Sequence, residues 1–94
     1  MQNLDYTVLN LYRVTGHGQL LALADVQVSG TFVIRGVRIL AGKGGLFVSL
    51  PQHLGKDKNW YDQIYFLDND LFIPFKTTVL AAYRSVTQNL TRKG

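Results

Sequence analysis

The sequence predicts an α+β domain: an antiparallel sheet of about five strands in consecutive hairpins, followed by one C-terminal helix packed on the sheet. Three observations carry this expectation. From Tyr6 to Pro51 the chain is a series of apolar and β-branched runs separated by turns that hold glycine, at 15–18, 29–30 and 41–45, which is how successive hairpins read. From Phe72 onward apolar residues recur at spacings of three and four, the period of one helix face. The helical segment also follows all the strands, which assigns it to one face of an antiparallel sheet. The rival for a small basic domain is the five-stranded OB barrel. That fold places its helix between the third and fourth strands, where this chain has room only for a glycine turn.

The first strand is expected over Tyr6 to Val14, with Leu9 and Leu11 sharing a face with Arg13. A turn at Thr15-Gly16-His17-Gly18 leads to a second strand from Gln19 to Ser29. Its even positions, Ala22, Ala24, Val26 and Val28 among them, are apolar, while Asp25, Gln27 and Ser29 are polar. That alternation buries one face and wets the other, and the small alanines suit a helix packed close above. Ser29-Gly30 is the next turn, and Thr31 to Leu40 the third strand. Its phase breaks: Phe32 and Ile34 fall on one face, Val37 and Ile39 on the other. Gly36 between them fits a bulge or a close approach of another backbone. After the glycine-rich turn, Leu46 to Leu50 is a fourth strand, apolar at nearly every position and therefore expected to be central, with Pro51 as its stop. Gln52 to Asn59 reads as a polar loop and Trp60 to Leu67 as a fifth strand. Asp68, Asn69 and Asp70 are helix N-cap candidates. The apolar stripe is Phe72, Phe75, Val79, Tyr83, Val86 and Leu90. Pro74 is tolerated only in a first turn, so the regular helix is expected to begin near Ile73.

Composition bounds the function. At 94 residues the chain is expected to be a single domain over 1–94, with a core over about 6–90 and a basic, frayed tail at 91–94. There is no cysteine, so disulfides and thiolate metal sites are excluded, which fits a reducing, cytoplasmic location. No apolar run approaches the roughly 20 residues of a membrane helix, and the N-terminus shows no secretory signal. Ten Lys/Arg stand against six acidic residues, all Asp, for a net charge of +4. That balance suits an anionic partner such as nucleic acid.

Catalysis finds little support. There is no Cys nucleophile and no Glu, and His17 and His53 have no partner at metal-ligand spacing. Ala41-Gly42-Lys43-Gly44-Gly45 lacks the spacing and the Ser/Thr of a phosphate loop and joins two strands. Asp68-Asn69-Asp70 lacks the Gly and the closing Glu of a calcium loop. Neither an enzyme activity nor a cofactor, a metal or a small-molecule substrate is expected.

Several segments together resemble the SpoVG (septation-regulator) family: Tyr12-Arg13-Val14, the alanine-bearing strand 18–24, and Phe32-Val33-Ile34-Arg35-Gly36-Val37-Arg38-Ile39-Leu40. The most specific is Gly45-Leu46-Phe47-Val48-Ser49-Leu50-Pro51, followed by Asp62 and by Val79-Leu80-Ala81-Ala82-Tyr83. The resemblance spans roughly 6–86. It implies a small, cytoplasmic, dimeric bacterial regulator, connected with sporulation and septation, that binds DNA and RNA and is not an enzyme. It also implies binding through basic residues in the loop after the proline and near the helix. There this chain departs from the pattern: His53-Leu54 stand where the family often has Lys-Arg.

From the residues themselves, phosphate binding needs reachable cations, and base contacts need aromatic planes. The post-proline loop offers Lys56, Lys58, His53 and Trp60. The plain alternative makes the lysines an ordinary solvated turn and Trp60 a core residue, the preferred place for Trp60. Arg35 and Arg38, three apart, point to opposite faces of an ideal strand, and only a bulge at Gly36 brings them to one side. Arg84, like Lys76, lies off the helix's apolar stripe. The competing non-enzymatic reading is a protein-interaction module, with Tyr61, Tyr65, Phe66 and Phe72 supplying apolar surface; their plain alternative is core and dimer seam.

Overall fold

The computed structural model describes residues 4–93, with side chains as far as Val86. Strands β1 (Tyr6–Arg13), β2 (Leu20–Val28), β3 (Phe32–Gly42) and β4 (Gly45–Ser49) form one antiparallel sheet in the order β1-β2-β3-β4. Strands β5 (Gln52–Leu54) and β6 (Trp60–Asp62) form a separate two-stranded hairpin, and helix α1 (Asn69–Lys93) packs on one face of the main sheet. The α+β class is as the sequence predicts.

The core lies between that face and the helix. Ala22, Ala24, Val26, Val37 and Ile39 of the sheet and Phe75 and Val79 of the helix have no exposed surface. The alanines let α1 approach closely, and Phe75 fills the gap in edge-on contact with Tyr6 at 5.2 Å between ring centroids. Phe72, Tyr83 and Val86 continue the predicted stripe half-buried; the Leu90 side chain lies outside the described residues.

Three bulges set which side chains face the helix. Val8 pairs with Val26 and Asn10 with Asp25, leaving Leu9 as the extra residue. The strand therefore changes phase: Tyr6, Val8 and Leu11 pack on the core while Leu9 is exposed, so Leu9 and Leu11 do not share a face. A similar irregularity lies between Leu20 and Ala22. The third lies at Gly36, and of the two readings open for that glycine, a bulge or a close backbone approach, it is the bulge. Ala24 pairs with Val37 and Val26 with Ile34, so Asp25 faces both Arg35 and Gly36. Gly36 takes φ +80°, a conformation that costs glycine nothing.

Four expectations are corrected. Strand β4 is an edge, not a central strand: its apolar residues Leu46 and Val48 serve the core, while Phe47 is exposed. Asp25 is buried instead of wet, because a central strand is flanked on both sides and the β1 bulge sets Asn10 beside it (Asn10 Nδ2 donates to Asp25 Oδ2, 3.1 Å). The fifth strand ends at Asp62 and stays out of the main sheet, since Phe66 turns under the helix to meet Phe72 and Phe75 at 5.3 and 5.4 Å. The helix begins at Asn69, ahead of Pro74. Asp68 caps it, accepting from the Asp70 N–H at 3.0 Å, and a Leu71 N–H to Asp68 carbonyl bond closes the first turn. Neither bond needs the N–H that proline lacks. The helical backbone runs on through the expected tail to Lys93; the tail's side chains lie outside the described residues.

Candidate nucleic-acid interface

The polar loop after Pro51 is a built hairpin. Gln52, His53 and Leu54 pair with Asp62, Tyr61 and Trp60. The base is tied by a Gln63 N–H to Pro51 carbonyl bond of 3.1 Å and by Gln52 Nε2 donating to Asp62 Oδ1 at 2.7 Å. At the tip, Gly55 N–H donates to the Asn59 carbonyl and Lys58 N–H to the Gly55 carbonyl, at 2.8 and 3.0 Å.

Asp57 organises the tip. Its carboxylate accepts from the Asn59 backbone and side-chain amides at 3.1 and 3.2 Å and from the Tyr61 hydroxyl. The Tyr61 bond, then the Asn59 backbone bond, hold its pKa below the ordinary 3.8. Gly55 is required by space: a Cβ there would stand 2.6 Å from the Tyr61 ring and 2.8 Å from Asp57 Oδ1. This network turns Lys56 and Lys58 outward, both exposed, with Lys58 at φ +70°. His53 is exposed beside Tyr61, their rings 5.9 Å apart.

Trp60, expected in the core, is 61% exposed. The three-residue strand that carries it belongs to a two-stranded sheet with no layer over it among the described residues. Its cross-strand partner Leu54 is exposed as well. The hairpin thus presents two exposed lysines at its tip, with Trp60 and Leu54 on one face and His53 and Tyr61 on the other; cations and an exposed indole are what phosphates and unpaired bases call for.

The other predicted cations lie elsewhere. Because of the Gly36 bulge, Arg35 and Arg38 both stand on the sheet face opposite α1, while Ile34, Val37 and Ile39 point to the core. Arg38 donates to Ser49 Oγ across the strand pair at 3.0 Å. Arg84 is exposed on α1, and with Lys76 it borders a groove between the helix and β4, alongside Leu46 and Ile73. Lys76 sits over the Phe72 ring at 5.2 Å, a cation–π contact. Of the aromatics offered as protein-binding surface, Tyr61 and Tyr65 are exposed, whereas Phe66 and Phe72 are half-buried against Phe75. Among the described residues, no three His, Cys, Asp or Glu side chains are grouped to hold a metal, and no helix is long and apolar enough to cross a membrane.

Comparison with known proteins adds a family. The SpoVG family profile matches residues 4–85. A septation protein SpoVG 2 of Listeria monocytogenes serotype 4b (strain F2365) is 31% identical over 80 residues, covering 85% of this chain and 78% of its own. The SpoVG of Archaeoglobus fulgidus is 29% identical over 80 residues, with 85% and 94% covered, and that of Symbiobacterium thermophilum 28% over 83 residues, with 88% and 59% covered.

Proposed function

The chain belongs to the SpoVG family, and from that premise we propose that it is a cytoplasmic, homodimeric nucleic-acid-binding regulator without enzymatic activity. Its relatives are named for septation, the process in which we place it. The β5–β6 tip is the principal contact with DNA or RNA. Lys56 and Lys58 meet phosphates, Trp60 lies against the strand, and His53, on the opposite face of the hairpin, is a secondary contact. The observation that carries this reading is the tip itself: a polar network around Asp57 holds both lysines outward next to an exposed indole. The family's usual Lys-Arg pair is replaced by His53-Leu54, and the hairpin supplies its charge from the turn instead. Arg35, Arg38 and Arg84 are additional cations.

The test is an electrophoretic or anisotropy titration with single-stranded RNA and duplex DNA at two salt concentrations, on the wild type and on Lys56→Ala/Lys58→Ala. Binding should weaken steeply with salt, and removing two phosphate contacts should flatten the log–log slope by about 1.8 on duplex DNA. Unchanged binding by the double variant rules out the tip.

One observation favours the second reading, a protein-interaction module. Leu67 is 90% exposed, and with Leu4, Phe32, Tyr65 and Leu71 it rims an apolar cavity of about 210 Å³. Such a patch is the mark of an association surface, and the proposed dimer gives it an occupant. Sedimentation at micromolar concentration decides: a clean monomer rejects the dimer and leaves the patch to a different protein.

A further inference from the structure

We propose that the open face of the four-stranded sheet is a second site, one that takes single-stranded nucleic acid, with Tyr12 and Phe47 as stacking planes for unpaired bases, Arg38 as the cation between them and Arg35 as a second cation further along β3, on the side of Arg38 away from Phe47. This rests on the nucleic-acid reading above and names the form of ligand. Tyr12 pairs with Leu23, Leu23 with Arg38, and Arg38 with Ser49, one row across the whole sheet. Phe47 lies two residues along β4 on the same face. Strand spacing and rise place Tyr12 and Phe47 about 16 Å apart, with Arg38 midway.

Both rings are open to ligand: Tyr12 is 55% and Phe47 45% exposed. Phe47 is also supported from below. A Cβ on Gly42 would stand 3.0 Å from two of its ring atoms, so the ring packs against the glycine. Arg35 is exposed with no hydrogen bond or ion pair among the described residues, and the Ser49 bond spreads the Arg38 guanidinium along the surface.

Charge selects the occupant. Among the strand residues of this face the acid is Asp25, buried and already bonded to Asn10. A second copy laid face to face would bury like guanidiniums against each other without carboxylates to pair them. A phosphate backbone supplies the missing anions, and bases released from a duplex supply π-faces for the rings.

The experiment measures anisotropy of labelled oligodeoxythymidylate and oligouridylate of about ten nucleotides, and of a duplex, with the full chain. The variants are Tyr12→Leu/Phe47→Leu, which keeps apolar bulk and removes the rings, and Arg35→Ala, which removes an exposed, unpartnered group and leaves folding intact. The ring variant should lose about tenfold or more on the single strands and keep its duplex affinity. Arg35→Ala should weaken single-strand binding in a salt-dependent way. Wild-type single-strand affinity in both variants overturns this site while leaving the hairpin reading standing. Absence of any wild-type binding overturns both. A dimer that becomes monomeric in the ring variant makes the face an interface between copies and also overturns the proposal.

Discussion

In the four-stranded sheet, Val26 and Ile39 are wholly buried under a helix, and the strands run to 11 residues in β3. In the β5–β6 hairpin each strand has three residues and all six are exposed. The first pairing is held by apolar burial, at roughly 25 cal/mol per Å². The second is held by one carboxylate, a glycine with no room for a side chain, and a few amides. A two-stranded hairpin is marginal by itself in water, so the small one depends on its polar tip and on the Pro51–Gln63 tie at its base. Rigidity and display are thereby divided between two parts of one chain. The core fixes the frame, and the hairpin presents cations without having to bury anything.

Breaking the larger partner should have the largest effect. Phe75→Ala removes the ring that Tyr6, Phe66 and Phe72 surround and should cost about 3–5 kcal/mol, read as the midpoint shift in urea unfolding. Gly36→Ala comes next. Nothing lies within 4 Å of the added Cβ, so the cost is the backbone conformation alone, about 1–2 kcal/mol. If Gly36 were replaceable at no cost, the bulge would not need a glycine.

The hairpin should respond locally. Asp57→Asn removes the charge that Tyr61 and Asn59 hold. Amide exchange at Gly55, Lys58 and Asn59 should speed up while the urea midpoint of the core moves by less than about 0.5 kcal/mol. Acid should reproduce this. The carboxyl binds its proton less readily in the hairpin than in the unfolded chain, so its support is present above the ordinary value of 3.8 and fades as pH falls through the lowered folded value. Amide shifts of Asn59 followed from pH 6 to 2, a window of about 4 units around that value, should show no change in the upper half. The smallest effect is Lys58→Gly. It relieves the left-handed backbone at φ +70° and should be neutral to stabilising by up to about 1 kcal/mol, even as it weakens phosphate binding.

The main sheet was legible because its signals are redundant. Ser29-Gly30 takes positive φ at both positions, 48° and 64°, as the tight turn that joins β2 to β3, and the alternation of β2 names the buried side. Even the bulge was announced by a glycine where the phase of β3 breaks. The hairpin was not legible, since Gln52-His53-Leu54 and Trp60-Tyr61-Asp62 are too short to display a period, and the residues that stabilise it lie in its turn. Trp60 was misplaced because large apolar side chains are usually inside, a rule that fails where no second layer exists. Asp25 and β4 were misread for a related reason: whether a strand is central or an edge is decided by neighbours distant in sequence. The cations were visible as residue types. That Arg35 and Arg38 share a face became visible only with the register.

The exposed indole has a spectroscopic consequence. Trp60 is the one tryptophan in the chain, and it sits at the hairpin, outside the core. With 61% of it exposed, its emission should be close to that of a solvated ring in the native state, and unfolding of the core should change it little. An oligonucleotide stacking on the tip would quench it directly. The protein thus carries its own reporter at the β5–β6 tip, and its silence during a titration would be as informative as its signal.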